Sequence, residues 1–168
     1  MSHLINGGIA VSTDNTNWYY ITDENRNPIK ISYEVIEKTN RMADGTLRRF
    51  VIARKHKIAT DWKLTSSSSV ITWDHAVLPN NYKGVGLAWL KSFYEANVFV
   101  PIYVKVISSG LSTDSANPTP FTPDPGTFLS AVNNSSVYTV FMTSFTYDVE
   151  KRSNTQDLVT ANIEFTEI

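Results

Sequence analysis

Few residues in this chain have the chemistry that catalysis needs. The histidines are His3, His56 and His75. His3 lies near the N-terminus, and His56 sits in a basic stretch that reads as a solvated strand position. His75 follows Asp74, but adjacent strand residues point to opposite faces, so the two are poorly placed to bond each other. No His-Glu-x-x-His, His-x-His or calcium-loop pattern occurs, and the reading is no catalytic, cofactor-binding or metal-ligating set. Gly84-Val85-Gly86 has the look of a phosphate loop, yet Trp89 stands where the next glycine is required. It reads instead as a flexible entry to a helix. There is no cysteine, which removes disulfides, thiolate metal sites and cysteine nucleophiles together. No activated nucleophile is visible, so a small hydrolase is the weakest of the readings.

The basic run Arg48, Arg49, Arg54, Lys55 and Lys57 has two readings. It is a solvated strand face that discourages edge aggregation, or it is a contact strip for another subunit. Arg41 and Asp44, at the nearby turn, belong to the second reading. Phe50 and Trp62 fall in the strand period and are expected to pack inward. The whole chain balances 15 basic against 16 acidic residues. That near-neutrality argues against a large sequence-independent field for nucleic acid or anionic lipid, and the reading is no sequence-specific nucleic acid and no membrane as partner.

The elements that hold these residues are mostly strands. The 168 residues suit one domain. They include 15 Val and 13 Ile but only 9 Leu, with 18 Thr, 17 Ser, 8 Phe and 8 Tyr, a mix that fits pleated surfaces better than helices. Tyr19 to Thr22 reads as a short strand. Ile29, Ile31, Tyr33 and Val35 alternate with Lys30, Ser32 and Glu34, the period of a half-buried strand. Asp44-Gly45 then suits a hairpin turn. In the return limb Ile58, Thr60, Trp62 and Leu64 share one face. Residues 29–65 are thus expected to form a long antiparallel pair, with a bulge near Arg48 to Arg54 where alternation falters.

Val70 to Trp73 is a further short strand candidate, and Leu78-Pro79-Asn80-Asn81 a turn. The period changes to helical over about 84–97, where Val85, Trp89, Phe93 and Ala96 share a face flanked by Leu90 and Tyr94. Asn97 suits a left-handed helix end. Val98 to Ile107 is too apolar for clean alternation and reads as a strand buried on both faces. Residues 108–136 hold Pro118, Pro120, Pro123 and Pro125 among Ser, Thr, Asn and Asp. They read as a long loop excursion within a single domain of 1–168, with a brief helical turn near Phe128 to Val132. A C-terminal hairpin closes the chain: Phe141, Thr143, Phe145, Tyr147 and Val149 on one limb, Val159, Ala161, Ile163 and Phe165 on the other. The expected fold is mainly β, an antiparallel sandwich or barrel with one packed helix. The first residues, Met1 to Val11, lack the pattern of a secretory signal, and the expectation is a chain made and folded in a cytoplasm.

Asn40-Arg41-Met42-Ala43-Asp44-Gly45-Thr46-Leu47-Arg48 resembles a motif of tailed-bacteriophage tail structural proteins, the tail tube-like family. There a strand, this turn and a Lys/His-rich return strand ending in Ser/Thr-x-Trp recur, and Thr60-Asp61-Trp62 stands in that place here. Phe93-Tyr94-Glu95-Ala96-Asn97 resembles the family's central helix. Phe145 to Arg152 and Ile163 to Ile168 are similar to its C-terminal hairpin. The blocks span about 29 to 168 and omit the 108–136 excursion. The resemblance implies a non-enzymatic virion protein of a phage tail, assembled in the host cytoplasm. It implies association with identical subunits as a homo-oligomer in stacked, six-fold rings around a channel, and contact with other tail proteins such as a tape-measure or baseplate component. It leaves tube, baseplate, tip and tail-completion roles open. A competing reading is a carbohydrate- or receptor-binding β-sandwich, with Trp18, Tyr19, Trp73 and Tyr82 offered from loops to stack on sugar rings.

Overall fold

The computed structural model describes residues 8–68, 82–107, 136–152 and 154–168. The chain order is β1 (Gly8–Ser12), β2 (Trp18–Ile21), β3 (Lys30–Arg41), β4 (Leu47–Ser66), β5 (Tyr82–Val85), α1 (Leu87–Asn97), β6 (Ile102–Ile107), β7 (Ser136–Lys151) and β8 (Leu158–Glu167). The strands form one eight-stranded sheet in the order β3-β4-β8-β7-β6-β1-β2-β5. Every neighbouring pair is antiparallel except β2 with β5. The fold is therefore mainly β with a single described helix, as the composition implies.

The sheet curls until its two halves meet. The segment after β2 returns to the C-terminal part of β4, where Arg26 bridges to Trp62. Asn27 N donates to Asp61 O at 2.8 Å and Lys63 N to Asn25 O at 3.2 Å. The Trp62 indole Nε1 donates to Thr22 O at 2.7 Å, and the Thr65 hydroxyl to Glu24 O at 3.0 Å. A polar seam thus joins the segment after β2 to β4 in a barrel-like closure. Backbone groups that a free edge would leave unpaired are satisfied there.

The enclosed core gathers Ile9, Val11 and Ile21 with Ile58, Trp62, Val104, Val140 and Met142, and with every other residue of β8 from Val159 to Phe165. That alternation is the predicted inward set of β8. Helix α1 covers the open side with Leu87, Leu90 and Phe93 buried. Tyr94 stacks on Phe145 at 5.2 Å, and Trp89 stacks on Tyr19 at 4.5 Å.

Several expectations are corrected. Gly84 and Val85 belong to β5, so the helix starts at Leu87 and of the two glycines only Gly86, its N-cap, stands at the entry. Asn97 ends the helix by donating its side-chain Nδ2 to Phe93 O at 2.9 Å, not by a left-handed backbone. β6 spans only Ile102–Ile107 and buries one face, with Ile102, Val104 and Val106 inward; Phe99, before it, is 91% exposed. Tyr103 and Lys105 take the opposite positions, so an apolar run did not mean burial on both sides.

Two bulges explain the remaining shifts. Leu64 adopts φ 50° at a register break between Trp62 and Thr65, which turns Leu64 outward and Thr65 inward. A break between Met142 and Ser144 reverses β7, so Met142 is buried while Phe141 is exposed, and Phe145 then packs under α1. One extra residue switches every later side chain to the other face. β1 and β5 went unread in the sequence. The Val70–Trp73 strand, the 78–81 turn, the Phe128–Val132 helical turn and the excursion up to 135 lie outside the described residues. Ser136 begins β7.

Candidate assembly interface

β3 and β4 pair over their whole common length, from Lys30↔Ala59 to Arg41↔Leu47. β4 meets β8 only from Lys57 onward, at Lys57↔Thr166. Residues 47–56 of β4 therefore have no strand on their other side among the described residues. The pair leaves the sheet as a two-stranded arm about 30 Å long, at about 3.3 Å per residue. All twelve residues of β3 are exposed.

The local sequence builds this arm well. Gly45 sits at φ +84° in the turn, a conformation that disfavours any Cβ. Met42 N donates to Thr46 O at 2.8 Å and Gly45 N to Met42 O at 2.9 Å. The Asp44 carboxylate accepts from Thr46 N at 2.9 Å. Hydrogen bonds from Thr46 hold its pKa below the usual carboxylate range. Asp44 is thus employed in forming the turn. Ile52 is the extra residue of a bulge, since Ile36 pairs with Ala53 and Glu37 with Val51. That places the bulge inside the 48–54 stretch where alternation falters.

The register assigns the faces. One face carries Ile31, Tyr33 and Val35 from β3 with Arg54 and His56 opposite, and continues to the buried Ile58. Beyond the bulge the same face carries Glu37, Thr39 and Arg41 opposite Val51, Arg49 and Leu47. The other face carries Lys55, Lys57, Phe50 and Arg48. The expected basic strip is therefore split: Arg41, Arg49 and Arg54 on one side, Arg48, Lys55 and Lys57 on the other. Arg49 pairs with Glu37 through its Nε, and Lys57 Nζ lies 3.6 Å from the Glu34 carboxylate.

Apolar side chains lie among these charges. Ile31, Tyr33 and Val35 do share a face, but that face is uncovered. Phe50, expected to pack inward, is 54% exposed, and Ile52 reaches 70%. Leu47 and Val51 are also exposed. The physical reason is that the arm extends past the point where β8 and the core could cover it. The sequence signal was present in the period but carried no information about whether a second layer exists. An isolated two-stranded ribbon is marginal in water, and this one carries uncovered apolar side chains on both faces.

Charge separates the same way. Residues 30–57 hold eight Lys/Arg against three Asp/Glu, a surplus of five positive charges. The rest of the chain holds seven against thirteen, a surplus of six negative charges. The near-zero total hides two complementary parts.

The other candidate residues resolve differently. Trp18 is 3% exposed, with the Lys105 ammonium 4.3 Å from its ring centre. Tyr19 packs against the core between β2 and α1. Neither is offered for stacking on a sugar. Tyr82 begins β5 rather than a loop, and Trp73 lies outside the described residues. His56 is half-buried and faces the Glu167 carboxylate, which corrects its reading as a solvated position. His3 and the Asp74–His75 pair lie outside the described residues. Among the described residues no three His, Asp or Glu are grouped to hold a metal ion. No described helix is long and apolar enough to cross a membrane.

No protein-family model matches the chain, and no curated protein matches it. Solved structures to which it is similar include the tail of an empty gene transfer agent particle refined with C6 symmetry. That likeness has 11% identity and TM-score 0.46, covering 100% of this chain and 95% of the other. The virion of a native gene transfer agent particle is similar at 12% identity and TM-score 0.42, covering 95% and 90%. The six-fold symmetrised baseplate of an anti-feeding prophage is similar at 8% identity and TM-score 0.39, covering 98% and 90%.

Proposed function

We propose that this chain is a non-enzymatic structural subunit of a phage-type tail, a virion protein that works by associating with copies of itself. The single observation that carries the reading is the arm, a ribbon exposed on both faces that still holds Tyr33, Leu47, Phe50, Val51 and Ile52. Covering such half-exposed side chains contributes on the order of 1 kcal/mol each. A free ribbon gains none of it.

The contacts are the arm residues Arg41, Arg48, Arg49, Arg54, Lys55 and Lys57 together with the apolar side chains between them. The excess acid of the remaining chain meets them on the neighbouring copy, which steers encounter and fixes register. The edge of β4 at 47–55, which no described strand pairs, offers main-chain groups for strand addition. The sequence blocks around Asn40–Arg48 and Thr60–Trp62 support a ring, six-fold, that stacks into the tail tube or a tube-like segment. Assembly takes place in the host cytoplasm, with a tape-measure or baseplate component as neighbour.

Electron microscopy and native mass measurement of the purified chain test this. Rings or stacked rings are expected at high concentration. A single ring that never stacks would place the chain at a baseplate or terminator position. A strictly monomeric species under all conditions contradicts the reading.

A further inference from the structure

Among the described residues, His56 ties the arm's root to the body past the end of the β4–β8 ladder. The β4–β8 ladder ends at Lys57↔Thr166. At the next step the Glu167 side chain replaces the missing strand. One of its oxygens accepts the His56 backbone N–H at 2.8 Å and lies 2.5 Å from the ring Nδ1. Glu167 is itself held by the body, since it pairs with Val140 of β7. The imidazole is flanked by Tyr33 of the arm at 4.8 Å and Tyr138 of β7 at 4.9 Å.

We propose that His56, Glu167 and Tyr138 form a clamp that fixes the direction in which the arm leaves the body. Its consequence for assembly rests on the reading above; the clamp itself does not. A two-stranded ribbon would otherwise swing about its root, because among the described residues no core side chain of the arm lies beyond Ile58 to hold it. The clamp also ties the arm's aim to the end of β8.

The groups facing the imidazole are Glu167 from β8, Tyr138 from β7, Tyr33 from β3 and Arg54 two residues along the same face of β4. Lys55 lies near Glu167. Partial burial pushes the Glu167 carboxyl up, but the hydrogen bonds from the His56 ring and backbone outweigh it and hold it below its ordinary value of 4.5. The clamp therefore persists through neutral pH and opens as Glu167 protonates below that value.

The test is a spin-label distance measurement between the arm tip and α1. The chain has no cysteine, so Ala43→Cys and Ser92→Cys give two unique sites, and dilution into unlabelled protein isolates distances within one copy. The parent gives a narrow distribution at pH 7 that broadens on acidification. His56→Ala and Glu167→Ala are broad at pH 7, and in Glu167→Ala the His56 amide exchanges about tenfold faster. Glu167→Gln is the neutral isostere of the protonated carboxyl, so it is as broad at pH 7 as the acidified parent and shows no further acid response. Unchanged width and unchanged His56 exchange in Glu167→Ala overturn the clamp. A parent that never assembles, with variants that still broaden, supports the clamp and contradicts only the assembly reading.

Discussion

Gly8 is closely packed against Tyr20. A Cβ there would meet the Tyr20 ring and hydroxyl at 2.5 Å, and Tyr20 is fully buried. The ring cannot step aside, so Gly8→Ala is expected to destabilise the fold by about 1–3 kcal/mol in urea unfolding. Trp62 is the opposite case, a large side chain that fills the core and donates across the seam to Thr22 O. Trp62→Phe leaves that buried carbonyl without its donor and is expected to cost about 2–4 kcal/mol. Phe50→Ala, on the uncovered arm, should change monomer stability by no more than about 0.5 kcal/mol. Equal losses at Phe50 and Trp62 would show that the arm is packed in the isolated chain. Acid adds a further residue-level expectation. Asp14 accepts from Thr16 N, Asn17 N, Asn17 Nδ2 and the Ser12 hydroxyl, and those bonds, first that of the Asn17 backbone, hold its pKa well below 3.8. Asp44 and Glu167 are lowered too. The unfolded chain therefore takes up protons before the fold does. Stability should hold above the ordinary carboxylate values and fall as pH drops through and below them. Urea midpoints at pH 7, 4 and 3 check this, and Asp14→Asn should flatten the decline.

At the scale of elements, the arm and the body are separable. The core and the seam use β4 only from Ile58 onward. Replacing residues 37–51 by a short turn should leave the body folded, with near-parent far-ultraviolet circular dichroism and thermal midpoint. Loss of cooperative unfolding in that variant would contradict the division. Gly45→Ala should cost about 1 kcal/mol, confined to the arm and read as faster amide exchange near the turn. The same division explains what the sequence revealed. The Asp44-Gly45 turn, the pairing of 29–65, the inward set of β8 and the helix were all legible, because turn chemistry and period are local properties. Whether a half-apolar face is covered is not local. Tyr33 and Val35 alternate as properly as Ile163 and Phe165, yet the first pair is exposed on the arm and the second faces the core. Bulges at Leu64 and Thr143 were invisible for a related reason: a single extra residue reverses the face without changing the composition. Strands as short as β1 and β5 give too few repeats for a period to be read. His56 with Glu167 lies 111 residues apart in sequence, and no spacing rule joins them.

The whole molecule is a curled, closed body with a basic, apolar arm set against an acid-rich remainder. Association by such parts is partly electrostatic. Raising sodium chloride from roughly 0.05 to 0.5 M shortens the Debye length from about 14 Å to about 4 Å. Assembly should weaken over that range in sedimentation experiments, and salt-independent assembly would remove charge complementarity from the account. The central claim is that the uncovered arm joins copies of this chain. The most direct measurement is native mass spectrometry of the parent beside Phe50→Glu/Ile52→Glu, with folding of both followed by circular dichroism. The account predicts closed oligomers for the parent and folded monomers for the variant. Identical oligomers in both, or a parent that stays monomeric at every concentration, would contradict it.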